Sequence, residues 1–336
     1  LEDCTPVPYA VIFPGQGAAS PGSGEPWLEH PAWQGVEQAE AILGRPLGRL
    51  LLEADADELA TTRSSQMAVL LASLLAWDLL SELVDEPPIA FAGHSLGQIT
   101  ALLASGAVSR DDGLRLTERR ADETQRSAET RPGRMAALFG ANLPTADQVC
   151  AGIEAWVAND NAPGQVVIAG TPEGMDQAIG RAEEHKIRVR PLAVGHAFHT
   201  PLLADAADRL RPLLDTLPFR EPTAPVVANT DAASHTDPGG WPDRLTRHLV
   251  EPVRWQDCQH ALTSLGADTL VEPGPGRVLA GLARRTVPEV RVLNASTPDE
   301  ITAAARQLVD ALTAAPPAPA GARPSRSSPT PPEATA

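Results

Sequence analysis

Residues 89–106 read IAFAGHSLGQITALLASG. Ile89 to Gly93 is a short apolar run, as expected of a strand buried on both faces, and 96–106 continue as a helix that Gly106 can stop. Between them lies Gly93-His94-Ser95-Leu96-Gly97, a G-x-S-x-G sequence in the strand–turn–helix setting that lifts a serine out of a sheet. Two glycines permit the tight turn. Ser95 then sits at a helix N-terminus, where free N–H groups and the positive dipole end favour a developing oxyanion. A serine that merely caps a glycine-rich turn has the same local sequence, so Ser95 is a candidate nucleophile that needs a base.

Outward from this turn, strand and helix alternate. Tyr9 to Phe13 is a second short apolar run, closed by Pro14-Gly15, and reads as a buried strand entering a loop. Gln66 to Val84 is apolar nearly all round, which predicts a deeply buried helix. Ser109 followed by Asp112 resembles a capping box and opens a helix over 110–127. Helices are expected at 201–217, 238–250 and 255–265, and strands at 226–228 and 268–272. The cadence changes over 134–197. Strands are expected at 135–140, 156–160, 165–170 and 187–194, with helices at 145–155 and 174–185. That βαββαβ order is the split, ferredoxin-like arrangement. The expectation is an α/β protein: a large α/β-hydrolase-like domain with a mostly parallel sheet (8–133 and 198–312) carrying an inserted ferredoxin-like subdomain (134–197). Residues 313–336, mostly Pro, Ala and Ser, read as a disordered tail or linker.

Composition narrows the function. The chain has 336 residues, 43% of them hydrophobic, and 27 Lys and Arg against 43 Asp and Glu for a formal charge of −16. So acidic a surface repels phosphate backbones and argues against nucleic acid as a partner. The 3 cysteines, Cys4, Cys150 and Cys258, are isolated, which fits neither a disulfide framework nor a cysteine-based metal site. No long apolar run is free of charge and no signal peptide is evident, so a cytoplasmic protein away from the membrane is expected.

Of the 8 histidines, His196 and His199 fall in GHAFHTP (195–201), where the insertion rejoins the large domain at a natural cleft edge. Position does not choose between them as a base for Ser95. His94 adjoins the serine, but its ring should point away across the turn. Arg115, Arg119 and Arg120 form a charged group on one helix, and an exposed helix face explains them as well as a binding role does.

Taken together, FPGQG (13–17), GHSLG (93–97), Arg120, NAPGQVVIAG (161–170), HAFHTP (196–201), VVANTD (226–231), EPVRW (251–255) and EPGPGRVLAGL (272–282) resemble the malonyl-CoA:acyl-carrier-protein transacylase family, including the acyltransferase domains of polyketide synthases. The likeness spans about residues 8–300. It implies the fold described above, with Ser95 as nucleophile, His199 as base, and an oxyanion hole formed by the Gln16 and Leu96 backbone N–H groups. It also implies that the main-chain carbonyl of His248 orients the base where other hydrolases use an acid, and it puts Asn229 beside the site. The gap-free spacing from Ser95 selects Arg120, whose guanidinium matches the free carboxylate of a malonyl group. Phe198, next to the base, resembles the family's mark of malonyl over methylmalonyl preference; its bulk occupies the space of a C2 substituent.

The implied partners are malonyl-CoA and a phosphopantetheinylated acyl carrier protein, with no metal and no bound cofactor. Carrier proteins are acidic, so a local basic patch is needed; Arg188, Arg190, Arg277, Arg284 and Arg285 are candidates. The Pro-rich tail favours a polyketide setting. Gln98 stands where the family often has Glu, with little effect expected. A hydrolase releasing acyl groups to water is the alternative, although such enzymes run Ser, then acid, then His, and no acid is singled out between Ser95 and His199. A non-catalytic docking module is a third possibility, disfavoured by the joint presence of Ser95, His199 and Arg120.

Overall fold

The computed structural model describes residues 8–313 apart from Ala193 and Gly195. The tail expected over 313–336 lies outside these residues except for Thr313, which closes the last helix, Pro298–Thr313.

Two sheets organise the chain. The first takes strands β1 (Tyr9–Phe13), β2 (Ala90–Gly93), β7 (Val226–Val227), β8 (Ser234–His235), β9 (Thr269–Pro273) and β10 (Arg291–Ala295) in the order β10-β9-β1-β2-β7-β8. All its pairings are parallel except β7 with β8. The second takes β3 (Arg134–Phe139), β4 (Ala155–Ala162), β5 (Gln165–Gly170) and β6 (Arg188–Pro191) in the order β4-β5-β3-β6, antiparallel throughout. With its helices Leu143–Cys150 and Pro172–Glu184, this is the ferredoxin-like arrangement expected from the sequence.

Residues β1, β2 and β9 are buried along their whole length, as the continuous apolar runs required. The helix Thr62–Leu83 covers the sheet and is long and apolar enough to cross a membrane by composition, yet most of it is enclosed in the core. It begins four residues before the expected Gln66, because Thr61 caps it by accepting a hydrogen bond from Ser64 N–H. The helix Arg110–Thr130 opens at Ser109, whose Oγ accepts from Asp112 N–H and donates to the Asp112 carboxylate.

Strands β3 and β5 alternate strictly. Ala136, Leu138, Val166 and Ile168 pack under the second sheet's own two helices, while Met135, Ala137, Val167 and Ala169 join the core of the large sheet. The helix expected over 145–155 stops at Cys150, since Gly152 turns the chain with a φ of 71° and Ala155 already belongs to β4. Strand β6 ends at Pro191, short of the expected 194, with one further bond from Leu192 N–H to the Met135 carbonyl. The helices Gln34–Leu43 and Val278–Thr286 and strand β10 were not read from the sequence.

Candidate active site

The turn after β2 has no slack. A Cβ on Gly93 would lie 1.9 Å from the Gly97 carbonyl oxygen, and one on Gly97 would lie 2.2 Å from that of Phe13. The two glycines let the helix Gly97–Ala104 start against the sheet. Ser95 between them is forced to a φ of 52°, a conformation that L-residues adopt at a cost. Its side chain thereby projects into a cleft of about 280 Å³ between the two sheets.

Across the cleft His199, also left-handed at φ 59°, puts Nε2 at 2.8 Å from Ser95 Oγ. Its Nδ1–H donates to the main-chain carbonyl of His248 at 2.7 Å. This contact fixes the tautomer and leaves Nε2 unprotonated and facing the serine. Burial, and secondly the Arg120 charge, push the His199 pKa down to about 3, so the imidazole is neutral at physiological pH. His196 is turned away, its Nε2 bonded to the carbonyl of Thr124. His94 is held by Asn161 Oδ1 at 2.8 Å and stacks edge-on against Trp255.

Arg120 is 3% exposed. Its Nη1 donates to Gln66 Oε1 at 2.5 Å and its Nη2 reaches Ser95 Oγ at 3.5 Å. Burial alone pulls its pKa down, to about 10; no acidic side chain acts on it among the described residues. By contrast Arg119, one residue earlier, is half exposed and pairs with Glu123 at 3.0 Å. A desolvated guanidinium without a carboxylate partner is able to receive an anion.

Asn229 bridges the turn: its Oδ1 accepts from Ser95 N–H at 2.9 Å and its Nδ2 donates to the Gly93 carbonyl at 2.9 Å. The backbone N–H groups of Gln16 and Leu96 make no hydrogen bond among the described residues, and Gln16 lines the cleft beside Ser95. Phe198 packs edge-on to His196 at 4.8 Å between ring centres and forms part of the cleft wall. Hydrogen bonds thus link Ser95 to His199, Arg120 and Asn229, and His199 to His248, with Gln16 and Phe198 on the cleft wall.

Four further contributors were not read as part of it. Gln66 orients Arg120. Asn159 and Asn161 line the cleft from β4. Glu272 accepts from Leu279 and Ala280 N–H at 3.1 and 2.8 Å, anchoring the start of the helix whose Val278, Leu279 and Leu282 form the outer wall. Burial raises the Glu272 pKa to about 7. The signal for Glu272 was present in EPGPGR, an acid ahead of a glycine-rich helix start.

Comparison with known proteins gives the family. Residues 10–310 match the acyl transferase domain family. The malonyl CoA-acyl carrier protein transacylase of Salmonella typhimurium is 34% identical over 306 residues, covering 89% of this chain and 99% of that protein. The chain belongs to the malonyl-CoA:acyl-carrier-protein transacylase family. Among solved structures, the acyl-carrier-protein S-malonyltransferase of Burkholderia pseudomallei superposes with a TM-score of 0.84 at 35% identity, covering 89% of this chain and 99% of that one. A malonyl-transacylase in complex with its type II polyketide-synthase carrier protein gives a TM-score of 0.84 at 32% identity, covering 91% and 99%. Transacylases of this family therefore share the two-sheet architecture across nearly their whole length.

Proposed function

We propose that this transacylase moves a malonyl group from malonyl-CoA to the phosphopantetheine thiol of an acyl carrier protein through an ester on Ser95. One observation carries it: Ser95 Oγ lies 2.8 Å from a neutral His199 Nε2 and 3.5 Å from the buried, acid-free guanidinium of Arg120. A nucleophile, its base and a carboxylate receptor converge on one acyl unit. His199 takes the serine proton as Oγ attacks the thioester carbonyl. The oxyanion is received by the Gln16 and Leu96 N–H groups, and CoA leaves as the thiol with the proton from His199. The malonyl carboxylate stays on Arg120. The carrier thiol then attacks the ester while His199 takes its proton, and Ser95 is released with that proton returned.

The main-chain carbonyl of His248 holds His199 throughout. Such a carbonyl fixes the ring as an acid would but stabilises the imidazolium less. Phe198 limits the room beside C2 of the acyl group, which favours malonyl over its methylated homologue. A plain hydrolase would leave Arg120 without a role. In this scheme residues 8–133 and 198–312 form the catalytic body, and 134–197 the small subdomain whose apolar face keeps water from the ester.

For the carrier, one candidate arginine reaches the cleft rim and a second lies farther along the same sheet. Arg285 donates to Gln165 Oε1, a cleft residue, at 2.7 Å, and Arg188 lies over the Phe139 ring at 4.6 Å. Phe139 pairs with Gln165 on one side and Arg188 on the other, so the two cations flank one strip of sheet. Arg277 is instead paired with Glu300 at 3.1 Å. Charge reversal at Arg188 and Arg285 should raise KM for the carrier and leave hydrolysis of the acyl-enzyme unchanged. The carrier-bound relative supports a polyketide carrier as partner, and the free thiols of Cys150 and Cys258 suit a reducing, cytoplasmic setting. The decisive experiment is mass spectrometry after exposure to malonyl-CoA. It should show a gain of about 86 Da on Ser95, lost when holo carrier protein is added. CoA release equally fast without a carrier would favour the hydrolase instead.

A further inference from the structure

Gln98 carries a buried polar group that the mechanism above does not use. Its side chain is fully enclosed on the first turn of the helix Gly97–Ala104. Its Oε1 accepts from the Asn229 main-chain N–H at 2.6 Å. Its Nε2 is buried with no partner among the described residues. The amide can face only one way, because rotation would set its N–H₂ against the N–H of Asn229.

The unpaired Nε2 is a cost, set against the acceptor that Oε1 gives to the buried Asn229 N–H. The single bond it makes leads straight to the serine. Asn229 is tied on one side to Gln98, and through its side chain to Ser95 N–H and the Gly93 carbonyl. Its own carbonyl accepts from Arg254 N–H at 2.9 Å, so the main chain is gripped from both ends. These are the contacts that span a turn whose central residue has a φ of 52°.

We propose that Gln98 is a positioning residue for Ser95, acting through Asn229 to hold the strained turn in the geometry that aims Oγ at the acyl carbon. The proposal rests on Ser95 being the nucleophile. An error of an ångström in the attacking atom is enough to slow acyl transfer greatly.

Gln98→Met keeps length and apolar fit but removes the acceptor. Gln98→Glu keeps an oxygen facing the Asn229 N–H in either protonation state. Two rates are measured on each variant and on the unaltered protein: single-turnover acylation by malonyl-CoA, and covalent labelling of Ser95 by a small fluorophosphonate. Thermal unfolding is followed alongside. Gln98→Met should lower both rate constants at saturation by about tenfold or more with the half-saturating malonyl-CoA concentration unchanged, and, because the Asn229 N–H loses its acceptor, it should lower the unfolding midpoint while leaving it above the assay temperature. Gln98→Glu should restore both to within about threefold. Gln98→Met acting at the original rate, or Gln98→Glu slowed as much as Gln98→Met, overturns the proposal. If the unaltered protein takes no malonyl group, the substrate assignment falls, and the fluorophosphonate rates still decide the role of Gln98.

Discussion

At the end of β2 a methyl group added to Gly93 would lie 1.9 Å from a backbone oxygen, whereas one added to Gly180, on an outer helix of the inserted subdomain, meets nothing within 4 Å. The difference extends to how each region contributes to the cleft. From the larger α/β body come atoms each held by a hydrogen-bond partner: Ser95 by Asn229, His199 by His248, Arg120 by Gln66. The antiparallel sheet presents Met135, Ala137 and Val167 on alternate residues of two strands, with Asn159, Asn161 and Gln165 beside them. One region sets positions to a fraction of an ångström; the other chiefly sets the shape of the wall, which many sequences can supply.

If that contrast is right, substitutions should act unequally. Ser95→Ala should abolish the malonyl adduct altogether, and His199→Ala should slow acylation by about 10²–10⁴ without unfolding the protein. An adduct of undiminished yield on Ser95→Ala would break the assignment outright. Gly97→Ala sets a Cβ 2.2 Å from the Phe13 carbonyl, so it should cost about 3 kcal/mol or more in denaturant unfolding. Near-normal stability there would mean that the turn has more give than its contacts suggest.

Arg120→Ala should reduce kcat/KM for malonyl-CoA by about 100-fold, with much less effect on acetyl-CoA, which has no carboxylate to lose. The same variant removes a like charge from beside His199, so the acid limb of the pH–rate profile should move upward from about 3 towards 6.5. An unchanged limb would exclude that coupling. Stability should follow the same group. The folded pKa of His199 is depressed from 6.5 to about 3, so between those values the unfolded chain binds more protons and lowering the pH destabilises the fold.

Within the wall the effects shrink. Phe198→Ser should narrow malonyl over methylmalonyl discrimination by about 10-fold, measured as the ratio of acylation rates. Gly180→Ala, inside the helix Pro172–Glu184, should raise stability by about 0.5–1 kcal/mol. A loss there would show the insertion to be less tolerant than its open surroundings imply.

The turn around Ser95 could be read from five adjacent residues because its constraint is local: a strand, a helix and two glycines where no Cβ fits. The second sheet was equally readable, since 135–139 and 165–170 are short apolar runs, as strands buried on both faces require. Helix ends were less so. The Gly152 stop and the Thr61 cap moved boundaries by several residues, as tertiary contacts decide how far a helix extends. The helix Val278–Thr286 was missed because its start is glycine-rich, and its anchor, Glu272, works from the neighbouring strand.

What the amino-acid order determined by itself was the sequence of elements and the presence of a serine that must project. Both follow from sterics and burial acting within a dozen residues. It did not distinguish His199 from His196, two imidazoles three residues apart with the same local surroundings. Folding did so, by turning one towards Ser95 and the other onto the carbonyl of Thr124. The same holds for Arg120 against Arg119 on the residues alone, where adjacent positions on a helix face different media and only the buried one is left without an acid. Proximity between segments a hundred residues apart is a property of packing, and no window of sequence contains it.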